Sequence, residues 1–297
     1  EESGNSGDFF INLTNMQQTR DHIRQAVMDI MNLNASIGGM DIDGGGAGDL
    51  DVNNLHFVGH SLGAISGLTA VAVNNTIANN TAITAKDLNV FKTAVLANPG
   101  GQLPKLLENS PSFSAKILPG LAAAAGLTQG MSDLEKFFGI FQAPLDSVDP
   151  VNFTGLLKET NTPVLMFEMV GGGLVPGDTN GATYPSDTVV PNNANPALND
   201  VPTGKSYLTG TDPLVNQLEL AAVTESLPIV PDVIPSAVPN DEAPANLMLV
   251  SKFETGTHGT FSSADNVAAF AELMRQTGSF LQTNGKGISV TSESTDN

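Results

Sequence analysis

Gly59-His60-Ser61-Leu62-Gly63 decides how this chain is read. It fits the pattern G-x-S-x-G, in which a serine stands on a sharp turn between a strand and a helix. The flanks supply that context. Leu55-His56-Phe57-Val58 is a short apolar run suited to a buried strand. Ala64-Ile65-Ser66-Gly67-Leu68-Thr69-Ala70-Val71-Ala72-Val73 is small and apolar, suited to a helix packed closely on a sheet. The turn forces the serine backbone into a strained conformation. Gly59 and Gly63 are expected to let neighbouring backbone pass where a Cβ would obstruct it. The serine oxygen then stands at the carboxyl edge of a sheet, over a helix N-terminus whose amides stabilise an oxyanion.

Working outward, Thr14-Asn15-Met16-Gln17 reads as a capping box with Thr14 as N-cap. Ile23, Val27 and Ile30 follow at helical spacing, predicting an amphipathic helix over 15–33 that Gly38-Gly39 ends. Further strands are predicted at 93–98, 164–170 and 247–253. A short helix is predicted near 212–224, and a last amphipathic helix over 263–281 with Val267, Phe270, Leu273, Met274 and Phe280 as its apolar stripe. Five prolines in 228–245 predict an irregular surface connection, and the polar tail over 284–297 is expected to fray. Alternating strands and helices predict an α/β fold: a mainly parallel sheet covered by helices on both faces.

The stretch 102–160 interrupts that alternation and is helical in pattern. Leu118–Leu127 with Phe137, Phe138, Ile140 and Phe141 carries too many apolar groups for a solvent face. These residues form either core helices or a helical lid facing an apolar substrate, and the lid is the preferred reading.

Composition narrows the classes. The chain has 297 residues, 40% of them hydrophobic, enough for a sizeable core. It has no cysteine, so disulfides, thiolate nucleophiles and zinc–thiolate sites are excluded. Acidic residues outnumber basic ones 31 to 12, for a net charge of −19, which repels nucleic acid at long range. No apolar run reaches the length of a membrane-spanning helix. Residue 1 is Glu, so a mature form or a fragment of a longer protein is expected.

A serine hydroxyl needs a base within hydrogen-bond reach and an acid to orient that base. Of the four histidines, His22 lies on the first helix, His56 lies inside a strand, and His60 belongs to the turn and is expected to point elsewhere. His258, in Glu254-Thr255-Gly256-Thr257-His258-Gly259, falls in a loop between a strand and the last helix, where a base belongs. The acid should come between serine and histidine. Asp187 and Asp178 compete. Asp187 is preferred, because Asp187-Thr188-Val189-Val190-Pro191 places an apolar anchor and a proline behind the carboxylate. Asp178, between Gly177 and Thr179, has no such anchor.

With these residues the chain resembles an α/β-hydrolase. More narrowly it resembles the extracellular lipases of Gram-negative bacteria that include surface-exposed lysophospholipases. The resemblance covers most of 9–283. Besides the serine motif it rests on Phe10-Ile11-Asn12-Leu13-Thr14, Thr19-Arg20-Asp21-His22-Ile23-Arg24-Gln25, Asp187-Thr188-Val189-Val190-Pro191-Asn192, Leu208-Thr209-Gly210-Thr211-Asp212-Pro213-Leu214 and Thr257-His258-Gly259. It implies Ser61 as nucleophile, His258 as base, Asp187 as acid and the Leu62 backbone N–H as an oxyanion donor. It implies a lipid ester substrate, no cofactor and a secreted or cell-surface bacterial location. A short-chain or polyester esterase would use the same triad. A reading of another class is a non-catalytic binding scaffold that kept the fold.

The chain departs from that family before the serine. Members have several strands ahead of it, one of whose loops supplies the second oxyanion amide. Only 54 residues precede this strand, with one predicted helix and no strand. The N-terminal strands are therefore expected to be missing from a partial catalytic domain over 1–283. The sheet edge is expected to pair with the chain's own N-terminal portion or with a second copy. One side feature is the acidic, glycine-rich stretch 41–51. Asp41, Asp43, Asp49 and Asp51 could surround a structural calcium ion, but Val52 stands where an EF-hand carries glutamate, and a solvated turn is the preferred reading.

Overall fold

The computed structural model describes residues 10–12, 15–83, 87–194, 206–223 and 246–291. The run before the serine is a strand, Leu55–His60 (β1), and the run after it a helix, Leu62–Asn79. Among the described residues four more strands join β1: Phe91–Ala97 (β2), Val164–Met169 (β3), Ala221–Ala222 (β4) and Met248–Phe253 (β5). The sheet order is β1-β2-β3-β5-β4, with every pair parallel. β4 falls where only a helix was expected. Two alanines carry little strand signal, and their pairing with Leu249 and Val250 makes them a strand.

The α-helices among the described residues are Met16–Ser36 (α1), Leu62–Asn79 (α2), Leu103–Asn109 (α3), Pro111–Ala125 (α4), Ser132–Leu145 (α5), Thr154–Glu159 (α6), Thr211–Gln217 (α7) and Val267–Gln282 (α8). Period-2 alternation along the strands sorts the core into two faces. Ala94, Leu96, Val164, Met166 and Val250 face Ala64, Leu68 and Val71 of α2, Leu157 of α6 and Leu214 of α7. Val95, Leu165, Phe167, Leu249 and Phe253 face Ala269, Leu273 and Phe280 of α8. The result is a mainly parallel five-stranded sheet with helices on both sides.

α2 approaches the sheet closely because it is built of small residues. A Cβ on Gly67 would lie 2.2 Å from the Phe57 ring, so glycine there makes room for the β1 side chain. α1 packs across α2 through Val27 and Met31 against Ala70. Its N-cap is Asn15, whose side chain accepts from the Gln18 N–H, one residue later than the expected Thr14. Asn and Thr are both good caps, and the backbone of Asn15 takes the extended conformation a cap requires.

Two other expectations are corrected. Val267 is exposed, and the buried stripe of α8 runs through Ala269, Leu273, Gln276 and Phe280. The first part of the tail is not frayed. Ile288 is fully buried against the α8 face, and Thr291 donates from backbone and hydroxyl to Glu272. Ile288 and Val290, the two apolar residues of 284–297, are a weak sequence signal, yet both pack on the α8 side of the core and dock the segment. The proline-rich connection at 228–245 lies outside the described residues.

The stretch 102–160 splits into two behaviours. Phe138, Phe141 and Leu145 of α5 are buried, with Phe141 and Leu145 packing against Ile23 of α1 and Leu103 and Leu107 of α3, so this half is core. Ile140 on the same helix is 64% exposed. α4 has no buried residue at all; Phe113 and Ile117 rest partly buried against the same cluster. Among the described residues no strand precedes β1, which pairs only with β2, and Val58 is 44% exposed.

Candidate active site

Ser61 ends β1 and begins α2 with φ 55° and ψ −123°, a region that L-residues avoid. Its N–H donates to Ala97 O at 2.8 Å, and its carbonyl accepts from Ala64 and Ile65, so both sides of the turn are fixed. A Cβ on Gly59 would lie 2.6 Å from Gly63 O, so glycine is required there. Gly63 differs from expectation: a Cβ on it would meet nothing within 4 Å. The turn closes by bringing the Gly63 backbone onto Gly59, which makes one position tight and leaves the other open.

Ser61 Oγ is 2.8 Å from His258 Nε2, and His258 Nδ1 is 2.6 Å from Asp187 Oδ2. The imidazole thus donates from Nδ1 to the carboxylate and accepts the serine proton at Nε2. The Asp187 side chain is 1% exposed and that of His258 13%. The second Asp187 oxygen accepts from the N–H groups of Val189 and Val190, at 2.8 and 2.9 Å. Val190 is buried against Ile65 of α2 and Leu106 of α3. The Val-Pro anchor therefore aims the carboxylate by packing its loop on the first turn of the serine helix.

That loop is held on its other side too. Asp187 N–H and Asn192 Nδ2 both donate to Met169 O at the end of β3. Asp212 N–H donates to Asn192 O, and the Thr211 hydroxyl donates to Pro99 O. Gly210, at φ 99°, lets this backbone lie against Pro191 and Asn192, where a Cβ would come within 2.4 Å of Pro191 O.

The structure does not bring Asp178 to this group. Its carboxylate accepts from Asn180 and Ala182 within its own exposed turn. His22 Nδ1 meets Phe10 O, and His56 lies between Thr93 Oγ1 and Asn54 Oδ1, so both are engaged elsewhere. His60 departs from expectation. Its ring turns toward His258, with centroids 4.9 Å apart, and its Nε2 donates to His258 O at 2.7 Å. Asn98, just past β2, donates to the same carbonyl at 3.1 Å. Burial lowers the pKa of His60, while its bond to the His258 carbonyl opposes that fall.

The first N–H groups of α2, beginning with Leu62, have no intrahelical acceptor and lie beside the serine at the positive end of the helix. Such N–H groups could stabilise negative charge developing beside the Ser61 oxygen.

Two charged clusters lie outside this group. Glu168, fully buried on β3, meets Lys252 Nζ at 2.9 Å, and the same lysine reaches Asp212 at 3.3 Å. Burial pushes the Glu168 carboxyl up to about 7; Asp212 adds to the rise and Lys252 opposes it. In the acidic loop, carboxylate oxygens of Asp41, Asp43 and Asp49 come within 4.8 Å of one another and could hold a metal ion. All three already accept backbone N–H groups, from Gly44 and Gly46, from Gly45, and from Ile42 and Asp43. Asp51 is not part of that group; it caps a short helical turn at Val52–Asn54.

α4 adjoins the acid loop. Ser110 Oγ and Ser112 N–H both donate to Thr188 O, next to Asp187. Among the described residues no helix is long and apolar enough to cross a membrane. Compared with known proteins, the chain finds no matching family model, no matching curated protein and no matching solved structure.

Proposed function

We propose that this chain is a serine hydrolase of the α/β-hydrolase type that cleaves carboxylic esters, with lipids as the substrate class. The carrying observation is the continuous path Ser61 Oγ–His258–Asp187, at 2.8 and 2.6 Å, with the serine on a positive-φ turn over a helix N-terminus. His258 takes the Ser61 proton as the oxygen attacks the ester carbonyl. The amide of Leu62 holds the oxyanion of the tetrahedral intermediate. His258 then gives the proton to the leaving alcohol and activates water to release the acyl group. Asp187 stabilises the imidazolium formed in both steps.

The lipid substrate is supported by α4, an apolar helix without a buried residue, hung from the acid loop. It offers a surface for acyl chains, each buried methylene contributing about 0.8 kcal/mol. A lipase or lysophospholipase, secreted or at the cell surface, fits the resemblance described above. A short-chain or polyester esterase would share the chemistry and differ at α4.

Labelling with a fluorophosphonate probe tests the reading. One adduct on Ser61, absent from Ser61→Ala, is expected. No adduct would leave the non-catalytic scaffold, which the open edge of β1 favours. The same proposal includes a further polypeptide strand along β1, which would bring a second oxyanion amide; light scattering with intact mass distinguishes a second copy from a different chain.

A further inference from the structure

We propose that His60 and Asn98 form a clamp on the backbone carbonyl of His258 that positions the base for proton transfer from Ser61. This rests on the hydrolase reading above. Both are positioning residues, because neither reaches Ser61 Oγ or a reacting atom.

The need for a clamp follows from the sheet. Ser61 leaves β1 and His258 follows β5, and the order β1-β2-β3-β5 puts three strand spacings between them. At about 4.8 Å per spacing that is about 14 Å, beyond the reach of an imidazole. The segment 254–258 must therefore lean back across the sheet to bring Nε2 within 2.8 Å of the serine. Something at the β1–β2 side has to hold it there.

Two side chains do so at one atom. His60 Nε2 and Asn98 Nδ2 donate to His258 O at 2.7 and 3.1 Å. They come from the carboxyl ends of β1 and β2, the two strands nearest the serine. Each donor is itself constrained. Asn98 is 1% exposed, takes φ 50°, and donates its N–H to Phe167 O. The His60 ring lies against Phe261 at 5.8 Å, and Phe261 in turn against Phe167 at 5.7 Å. The base thus hangs from rigid strand ends and an aromatic stack, with its remaining freedom in two side-chain torsions that Asp187 fixes.

The arrangement also requires a particular state of His60. It must carry its proton on Nε2 to donate, and it must be neutral, because a second cation beside His258 would oppose the imidazolium formed during acylation. The burial of His60 favours the neutral form.

The test compares His60→Phe, which keeps the ring and loses the donor, with His60→Gln, whose amide nitrogen replaces Nε2. Asn98→Gly removes the other donor and tolerates the positive φ. Turnover of p-nitrophenyl butyrate is measured per site titrated with fluorophosphonate. Hydrogen exchange of 254–263 is followed by mass spectrometry. His60→Phe and Asn98→Gly are each expected to lower kcat by about 10- to 100-fold with KM unchanged, as expected for a misplacement under 1 Å. Exchange of 254–263 should accelerate in both variants. His60→Gln should recover most of the rate and the slow exchange. Wild-type kcat per titrated site and wild-type exchange in His60→Phe would overturn the clamp, as would equal losses in His60→Gln. If the wild type takes no probe at Ser61, the hydrolase reading falls, and the exchange of 254–263 still decides whether the clamp exists.

Discussion

Replacing Glu168 by glutamine should stabilise the fold at neutral and alkaline pH relative to acid pH. Glu168 is 1% exposed and faces α7 beneath the acid loop, with the half-exposed Lys252 beside it. The unfolded chain protonates this carboxyl near 4.5 and the folded chain near 7. Because the fold binds the proton more tightly, protonation stabilises it. That contribution is complete below about 4.5 and is lost as pH rises through 7. A gap of about 2.5 pH units, at about 1.36 kcal/mol each, amounts to about 3 kcal/mol. Most of it falls between pH 5 and pH 8. Glutamine keeps the shape and never ionises, so the variant lacks this loss. Other titrating groups cancel in the difference between the two proteins.

The chain has no tryptophan, so unfolding is best followed by far-UV circular dichroism. The melting temperature of Glu168→Gln minus that of wild type should rise by about 6–12 °C from pH 5 to pH 8, at about 2–4 °C per kcal/mol for a domain near this size. A difference in melting temperature that is the same at pH 5 and pH 8 would refute the argument. It would mean that Lys252 holds Glu168 ionised at both, against burial and the Asp212 charge, and that burial does not govern its charge.

Ser61→Ala and His258→Ala should abolish ester turnover with the melting temperature little changed. Asp187→Asn should reduce kcat by about 10⁴-fold through the wrong imidazole tautomer, while Asp178→Asn should have no effect; the reverse pattern in a p-nitrophenyl ester assay would reassign the acid. Gly59→Ala should destabilise the fold by about 1–3 kcal/mol through the clash with Gly63 O, whereas Gly63→Ala should fold normally, and equal melting curves would contradict the steric account. Octanoate and palmitate esters should be hydrolysed with higher kcat/KM than acetate, with the gain reduced by replacing Leu118 and Leu121 on α4, which lie outside the core clusters, by serine; equal values for all three esters would remove α4 from the substrate path.

What was legible in the sequence was local. The serine turn announces itself because Gly59 must be glycine and the helix after it must be small, constraints set within ten residues. Asp187 was legible for a similar reason: the valine and proline that aim it follow directly in the chain. The lid reading was half legible. Apolar content marks both α4 and α5, but only packing against Ile23 and Leu107 shows that Phe141 is buried in the core while α4 rests on it through Phe113 and Ile117 with no residue fully buried. Ile288 and Ala221–Ala222 were illegible, since their structure comes from partners far away in the chain.

His60 and Asn98 were missed because sheet order is not written in local pattern. Composition and spacing tell that β1, β2, β3 and β5 are strands, and not which lies beside which. Once the order is known, the candidate site has a simple rule. In a parallel sheet all carboxyl ends share one edge. Ser61 and His60 stand at the end of β1, Asn98 at the end of β2, Asp187 on the loop hung from Met169 of β3, and His258 on the loop after β5. β1 contributes two members and β2, β3 and β5 one each; Asp187 and His258 hang from neighbouring strands, whereas the contacts of His258 with Ser61, His60 and Asn98 cross the strands between them. The two outer members must reach furthest, and those are the serine and the histidine. It follows that the contacts that shorten this span, from His60 and Asn98 to His258 O, matter most where sequence gives least warning.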